Sequence, residues 1–110
     1  MIIIFQSKVS GDVMMFGDVA QKLMELMGKT PAERGIVTVD QLPAAIARLK
    51  AAVADDKAMH AGLQDEDLPA FEETQDGAKR PYVSLARRAI PLIDLLELSL
   101  KKQVPVVWGV

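Results

Sequence analysis

The sequence contains no cysteine, and among its 110 residues it has only one histidine, one tryptophan and one tyrosine. The lack of cysteine excludes a disulfide scaffold, a thiolate nucleophile and every cysteine-ligated zinc or iron–sulfur site. The single histidine, His60, excludes metal sites that need several histidines and leaves few designs for a general base. In its polar stretch it is more typical of a solvated side chain than of a weak metal ligand. We therefore expect no metal and no cofactor.

Long apolar runs and an excess of basic residues are also missing. No segment approaches the ~20 apolar residues of a membrane-spanning helix, and the apolar start at residues 1–5 is too short for a signal peptide. The net charge of −2 differs from that of most nucleic-acid-binding domains, which are basic. These absences predict a cytoplasmic protein that binds neither a membrane nor nucleic acid.

Apolar residues make up half of the chain, which is sufficient for a folded core in one domain of this length. The acidic residues are concentrated in one stretch. Residues 54–81 hold eight acids against three bases, a net charge of −5, which leaves +3 for the rest of the chain. Because this stretch also has little periodicity, we expect a single domain over residues 1–110 with a mobile acidic segment at 55–81.

The two ends of the chain are rich in β-branched and aromatic residues. Residues 2–7 and 106–110 therefore predict two strands, one at each end. We expect these terminal strands to pair with each other. A two-stranded sheet is marginal alone, and it needs cover from helices or further strands from a second subunit.

Residues 13–27 have the apolar spacing of an amphipathic helix. Ser10 or Asp12 is a suitable cap at its start, and Gly28 is well placed to end it in a left-handed conformation. Met15, Met24 and Met27 would lie on the buried side of this helix, and Met14 on its polar side.

Two more helices follow. The second is expected over about residues 40–54 and starts either from a capping box of Thr38 and Gln41 or from Asp40 as the cap. The third runs from Ser84 to about Lys102. The predicted fold class is therefore α+β, with three helices packed on a small sheet formed by the N- and C-terminal strands and a long acidic loop between the second and third helices.

A series of short motifs resembles a family of short proteobacterial proteins known as domain-of-unknown-function family 1840. The motifs are IIFQSK at 3–8, DVMMFG at 12–17, GIV at 35–37, QLPAAI at 41–46, PYVSL at 81–85 and PVVWG at 105–109. The resemblance covers nearly the whole chain apart from the acidic segment. It implies a bacterial origin and a small α+β fold, and it supplies no reaction, cofactor or site.

The third helix is apolar on two sides. One side carries the expected core stripe, and Pro91, Leu95 and Leu98 lie on the opposite side. Because a helix that is apolar on two sides usually has a neighbour on both, we predict that these three residues are buried. The covering layer is the folded acidic segment, another subunit or a different protein; chance surface leucines are the alternative.

Four cations surround the start of the third helix, namely Lys79, Arg80, Arg87 and Arg88. They are candidates for contact with an anion or an acidic partner, because cations at a helix N-terminus oppose its dipole. The simpler alternative, which we favour, is contact with acids of the chain's own residues 65–76. On the same helix, Glu97 and Lys101 have the spacing of a surface ion pair.

No catalytic constellation, phosphate loop or dinucleotide motif occurs in the sequence. The sequence therefore leaves the biochemical function unknown and favours a small non-enzymatic interaction or regulatory module. We expect it to form a homo-oligomer through the third helix, the terminal strands or both. Binding to an unidentified protein partner is a further alternative. The alternative is a small-metabolite-binding protein or minor enzyme that uses carboxylates and the Arg87/Arg88 region.

Overall fold

The computed structural model describes residues 2–59, 71–73, 77, 79–81 and 84–109. Within these ranges the chain forms six strands and three α-helices. In chain order they are β1 (Ile2–Ser7), β2 (Ser10–Phe16), α1 (Gly17–Leu26), β3 (Gly35–Val37), a 3-10 turn (Val39–Gln41), α2 (Leu42–Met59), β4 (Phe71–Glu73), β5 (Lys79–Pro81), α3 (Leu85–Lys102) and β6 (Val106–Trp108).

Four of these strands form an antiparallel sheet in the order β2-β1-β6-β3. The terminal strands pair with Phe5 opposite Trp108, and their rings lie 5.4 Å apart between centroids at an angle of 57°, within the usual range for aromatic pairs. The predicted pairing of the terminal strands is thus confirmed, and β2 and β3 widen the sheet. Strands β4 and β5 form a separate antiparallel pair.

The predicted start of the first helix is wrong. Residues 10–16 form strand β2, and α1 begins only at Gly17. The reason is the alternation in this stretch: Val13 and Met15 are partly buried, whereas Met14 and Phe16 are exposed. That period of two suits a strand, and the tight connection after Ser7 brings β2 alongside β1.

The predicted end of that helix is confirmed. Gly28 has a φ of 88°, and the amide of Lys29 donates to the carbonyl oxygen of Met24 at 2.8 Å. This six-to-one bond is the Schellman arrangement that glycine permits in the left-handed region. Helix α1 therefore ends where the sequence places a residue that tolerates this conformation.

Helix α2 is longer than predicted, because it continues to Met59 rather than 54. Its entry follows the capping-box alternative, with the amide of Thr38 donating to Oε1 of Gln41 at 3.2 Å. The predicted acidic loop at 55–81 contains regular structure at both ends. Its first residues form the last turn of α2, and strands β4 and β5 lie in its C-terminal part. Residues 60–70, 74–76 and 78 of that segment, including His60, lie outside the described residues, and the mobility of the segment stays a prediction.

Helix α3 matches its prediction. The amide of Arg87 donates to Oγ of Ser84 at 3.3 Å, and Gln103 ends the helix with a φ of 58°. Helices α1 and α3 contact the strands, and α2 packs mainly against α3. The core between these layers contains Phe5, Leu23, Leu49, Leu92, Leu96 and Trp108, among others. The predicted α+β class with three helices is confirmed in the described part of the chain.

Candidate binding surfaces

One face of the four-stranded sheet is covered by helices, and the opposite face is apolar and exposed. Ile3 and Phe5 of β1 point into the core, so Ile2 and Ile4 point outward. The register places Ile4 opposite Met14 and Ile2 opposite Phe16. We call this surface the outer sheet face; its exposed residues are Ile2, Ile4, Met14, Phe16 and Ile36.

The outer sheet face is comparable in size to the largest apolar patch of a typical monomer. Its five side chains are 36–67% exposed. At roughly 200 Å² for a fully exposed residue, a value in the range given for the aromatic side chains and applied to isoleucine and methionine as well, this is on the order of 500 Å² of apolar surface. The largest patch on a typical monomer is about 300–600 Å², and such patches often mark interaction sites. No described helix lies over this face.

A groove runs between strand β2 and the start of helix α3; we call it the edge groove. Its volume is about 330 Å³. The described residues that line it are Ile2, Val13, Met14, Met15, Phe16, Val19, Arg87, Arg88 and Pro91. Four consecutive residues of β2 belong to this set. Because successive side chains of a strand point to opposite faces, the groove must follow the edge of β2.

The edge groove brings together residues that the sequence assigned to two different sites. Arg87 and Arg88 were candidates for an anion contact and Pro91 for an interface, and all three line the same groove. Lys79 and Arg80 lie elsewhere along the chain, in β5, where the register places them opposite Glu73 and Glu72. The anion contact at all four cations stays a prediction.

The second apolar side of α3 faces the sheet of its own chain. Ser99, one turn after Leu95 on the same side of the helix, has its Oγ 2.7 Å from Oγ of Ser7 in β1. Leu95 is only 2% exposed, Pro91 lines the edge groove and Leu98 is partly exposed. An interface with a second molecule at these residues stays a prediction, but the burial of Leu95 is already provided within the chain.

Ser99 is the one polar residue that is fully buried in the described part of the chain. Its Oγ lies 2.6 Å from the carbonyl oxygen of Leu95 and 2.7 Å from Oγ of Ser7. Since each hydroxyl has a single proton, the two contacts use the protons of both serines. The pair therefore connects the last turn of α3 to the end of β1.

We expect Ser99→Ala to lower the free energy of unfolding by about 1 kcal/mol, the usual net value of a hydrogen bond. Urea denaturation followed by circular dichroism would measure the change. Ser7→Ala is the matched control, and it should cost less because Ser7 is only partly buried. Equal stability of wild type and Ser99→Ala would contradict a structural role for this pair.

The remaining charged groups form no metal site among the residues that the structure describes. Glu97 pairs with Lys50 of α2, with Nζ and Oε1 3.0 Å apart, rather than with Lys101 as the spacing predicted. Both side chains are about half exposed, so the pair contributes no more than about 1 kcal/mol. The described helices include none long and apolar enough to cross a membrane.

A family model described as a domain of unknown function, DUF1840, matches residues 1–108. The chain belongs to the DUF1840 family. This confirms the family that the six sequence motifs resemble. No curated protein and no solved structure matches the chain. The matched range includes every residue of the outer sheet face and of the edge groove, so both surfaces belong to the DUF1840 region itself.

Both surfaces of this DUF1840 chain depend on one element that the sequence interpretation missed. Met14, Met15 and Phe16 were assigned to the first helix, where a single exposed methionine needs no explanation. As parts of strand β2 they supply the edge of the sheet and much of its outer face. The alternation of residues 13–16 was the feature that could have revealed this arrangement.

Proposed function

We propose that this DUF1840 protein is a small non-enzymatic interaction module that self-associates, with the outer sheet face binding the same face of a second copy. The observation that carries the proposal is the exposed apolar side of a sheet whose other side is fully used by the core. Strands with apolar residues on both sides are typical of sheets that are covered on both sides.

The size of the outer sheet face fits a second copy. A standard interface buries roughly 800 Å² per partner, of which about 56–65% is apolar. The apolar share is therefore on the order of 500 Å², which is the area that this face exposes. The charged residue nearest to it on β2 is Asp12, two positions before Met14 towards the hairpin, so a two-fold contact centred on Ile4 would place apolar residues at its middle.

The proposal also includes the cellular compartment in which the protein works. We infer that the module works in the bacterial cytoplasm, in line with its lack of cysteine, which suits a reducing compartment. The fold does not depend on an oxidising environment, because the chain has no cysteine that could form a disulfide.

The edge groove supports a second candidate function, a small-metabolite-binding protein. Its volume of about 330 Å³ lies at the low end of the ~300–1,000 Å³ that is typical of ligand pockets. Arg87 and Arg88 would hold an anionic group. No carboxylate is found among the described residues of the lining, so the groove favours binding over acid–base catalysis.

Sedimentation velocity over a range of concentrations tests the self-association. We expect the wild-type protein to reach twice the chain mass of 12.0 kDa. Ile4→Lys should weaken the association by about 100-fold or more, because a two-fold contact would bury two unpaired ammonium groups. Ile4 is 36% exposed at the centre of the outer sheet face and does not line the edge groove.

Ile90→Lys is the matched control, since Ile90 is an equally large apolar residue that is 48% exposed on α3. This variant should associate as the wild type does. Circular dichroism of both variants would show that each is folded. A wild-type protein that stays monomeric at all concentrations would refute the proposal, as would equal association of the two variants.

A further inference from the structure

We propose that the edge groove binds an extended acidic segment of a partner protein, which adds as a strand to the free edge of β2. This groove shares Ile2, Met14 and Phe16 with the outer sheet face, but it adds the edge of β2 and the two arginines of α3, and it would give the module a second kind of contact. The inference rests on three features of the groove: the open strand edge, the apolar lining and the guanidinium groups on the opposite wall.

The first feature is the edge itself. Strand β2 spans seven residues at the end of the four-stranded sheet, and β1 is its only neighbour among the strands that the structure describes. In an antiparallel pair, alternate residues direct their amide and carbonyl groups away from the partner. Along β2 these outward groups face the edge groove, where an added strand would bind them.

The second feature is the sequence of β2 itself, which lacks the residues that usually protect such an edge. Natural sheets shield edge strands with lysine, proline or inward-pointing charges. Strand β2 contains neither lysine nor proline, and its one charged residue, Asp12, lies near the hairpin rather than in the stretch from Val13 to Met15. That stretch therefore keeps the properties of a docking edge.

The third feature is charge, which indicates the chemistry of the added strand. Arg87 is exposed and Arg88 is partly buried in the first turn of α3. Both line the groove, whose described lining holds no acidic residue. Arginine binds carboxylates through two parallel hydrogen bonds. In a strand that alternates apolar and acidic residues, the acidic set would point to the helix side of the sheet, where Arg87 and Arg88 lie, and the apolar set to the exposed side, beside Met14 and Phe16.

Charge also argues against a second copy at this edge. A two-fold pairing of β2 with β2 would bring the guanidinium groups of both copies to the same seam, where like charges repel. A partner strand with carboxylates would neutralise them. The β2 edge beside the arginines and the centre of the outer sheet face around Ile4 therefore favour different occupants.

Fluorescence anisotropy with a short labelled peptide of alternating valine and glutamate tests the inference. We expect saturable binding to the wild-type protein and a loss of affinity of about tenfold or more in Arg87→Glu. Arg48→Glu is the matched control. It makes the same charge change at an exposed arginine of α2 that does not line the groove, and it should bind the peptide as the wild type does.

A second probe distinguishes strand addition from simple anion binding. The same peptide with N-methyl groups on alternate residues keeps its carboxylates but cannot form the strand hydrogen bonds, so we expect it not to bind. Amide hydrogen exchange should slow at residues 13–15 when the unmodified peptide binds. Equal binding of the methylated peptide would overturn the inference and leave the groove as a site for small anions. Equal binding by Arg87→Glu and Arg48→Glu would also overturn it.

The titration is repeated on Ile4→Lys to keep the two proposals apart. That residue lies on the outer sheet face and outside the groove, so the peptide should bind this variant even where self-association is lost. Loss of peptide binding in folded Ile4→Lys would overturn the inference, because the binding site would then depend on a second copy of the chain.

Discussion

Truncating Leu95 to alanine is expected to lower the free energy of unfolding by about 2–5 kcal/mol, the range for large-to-small changes in a core. The same change at Leu98 is expected to cost about 1 kcal/mol or less. The two leucines lie three residues apart on α3, and the substitution is identical. Leu95 is 2% exposed and belongs to the core, whereas Leu98 is partly exposed.

The comparison decides what covers the second apolar side of α3. If the sheet of the same chain covers it, Leu95→Ala destabilises the fold and leaves a cavity between α3 and β1. Urea denaturation of wild type, Leu95→Ala and Leu98→Ala at one fixed protein concentration measures this, since self-association adds a concentration-dependent contribution. Unchanged stability of Leu95→Ala together with weaker self-association would instead place Leu95 in an interface between chains.

The helix ends that could be predicted from the sequence are those with strong local capping signals. Helix α3 starts at Ser84, whose hydroxyl accepts an amide hydrogen bond, and α1 ends at Gly28, which adopts a positive φ. Such caps act within a few residues and so are visible in a sequence. The terminal strands were equally visible, because β-branched residues are concentrated there.

Strand β2 could not be predicted in this way, because its stability comes from another strand. Residues 13–16 fit a helix because they extend the helical spacing of Val19 and Leu23 towards the N-terminus. They also fit a strand because apolar residues with inward and outward positions alternate within them. The pairing of β2 with β1 decides between the two, and it satisfies backbone hydrogen bonds along most of both strands. That gain depends on tertiary structure and not on local propensity.

The error in β2 extended to the candidate sites. A sheet of two strands is too narrow to cover a long helix, so the second apolar side of α3 suggested a second molecule. Strand β2 packs against α3 beside β1, whose Ser7 contacts Ser99, and Leu95 is buried without one. The same change moved the exposed apolar surface from α3 to the outer sheet face and placed Arg87 and Arg88 beside a strand edge.

A methyl group at Gly35 is expected to destabilise the fold by about 1–3 kcal/mol, because the core has no room for it. Gly35 lies opposite Trp108 in the pairing of β3 with β6. A Cβ atom at this position would overlap the indole ring. The ring has nowhere to move, since it is 1% exposed, packs on Phe5 and donates from Nε1 to the carbonyl oxygen of Ala32 at 3.1 Å.

Gly11→Ala is the matched control for Gly35→Ala. Gly11 also lies in a strand, but no heavy atom comes within 4 Å of a Cβ built there, so this variant should keep its stability to within about 1 kcal/mol. Urea denaturation measures both changes. Trp108 is the only tryptophan, so its fluorescence reports directly whether the ring has shifted. Equal stability of the two variants, with unchanged fluorescence, would contradict the packing of the indole ring over Gly35 and with it the register that joins β3 to the C-terminal strand.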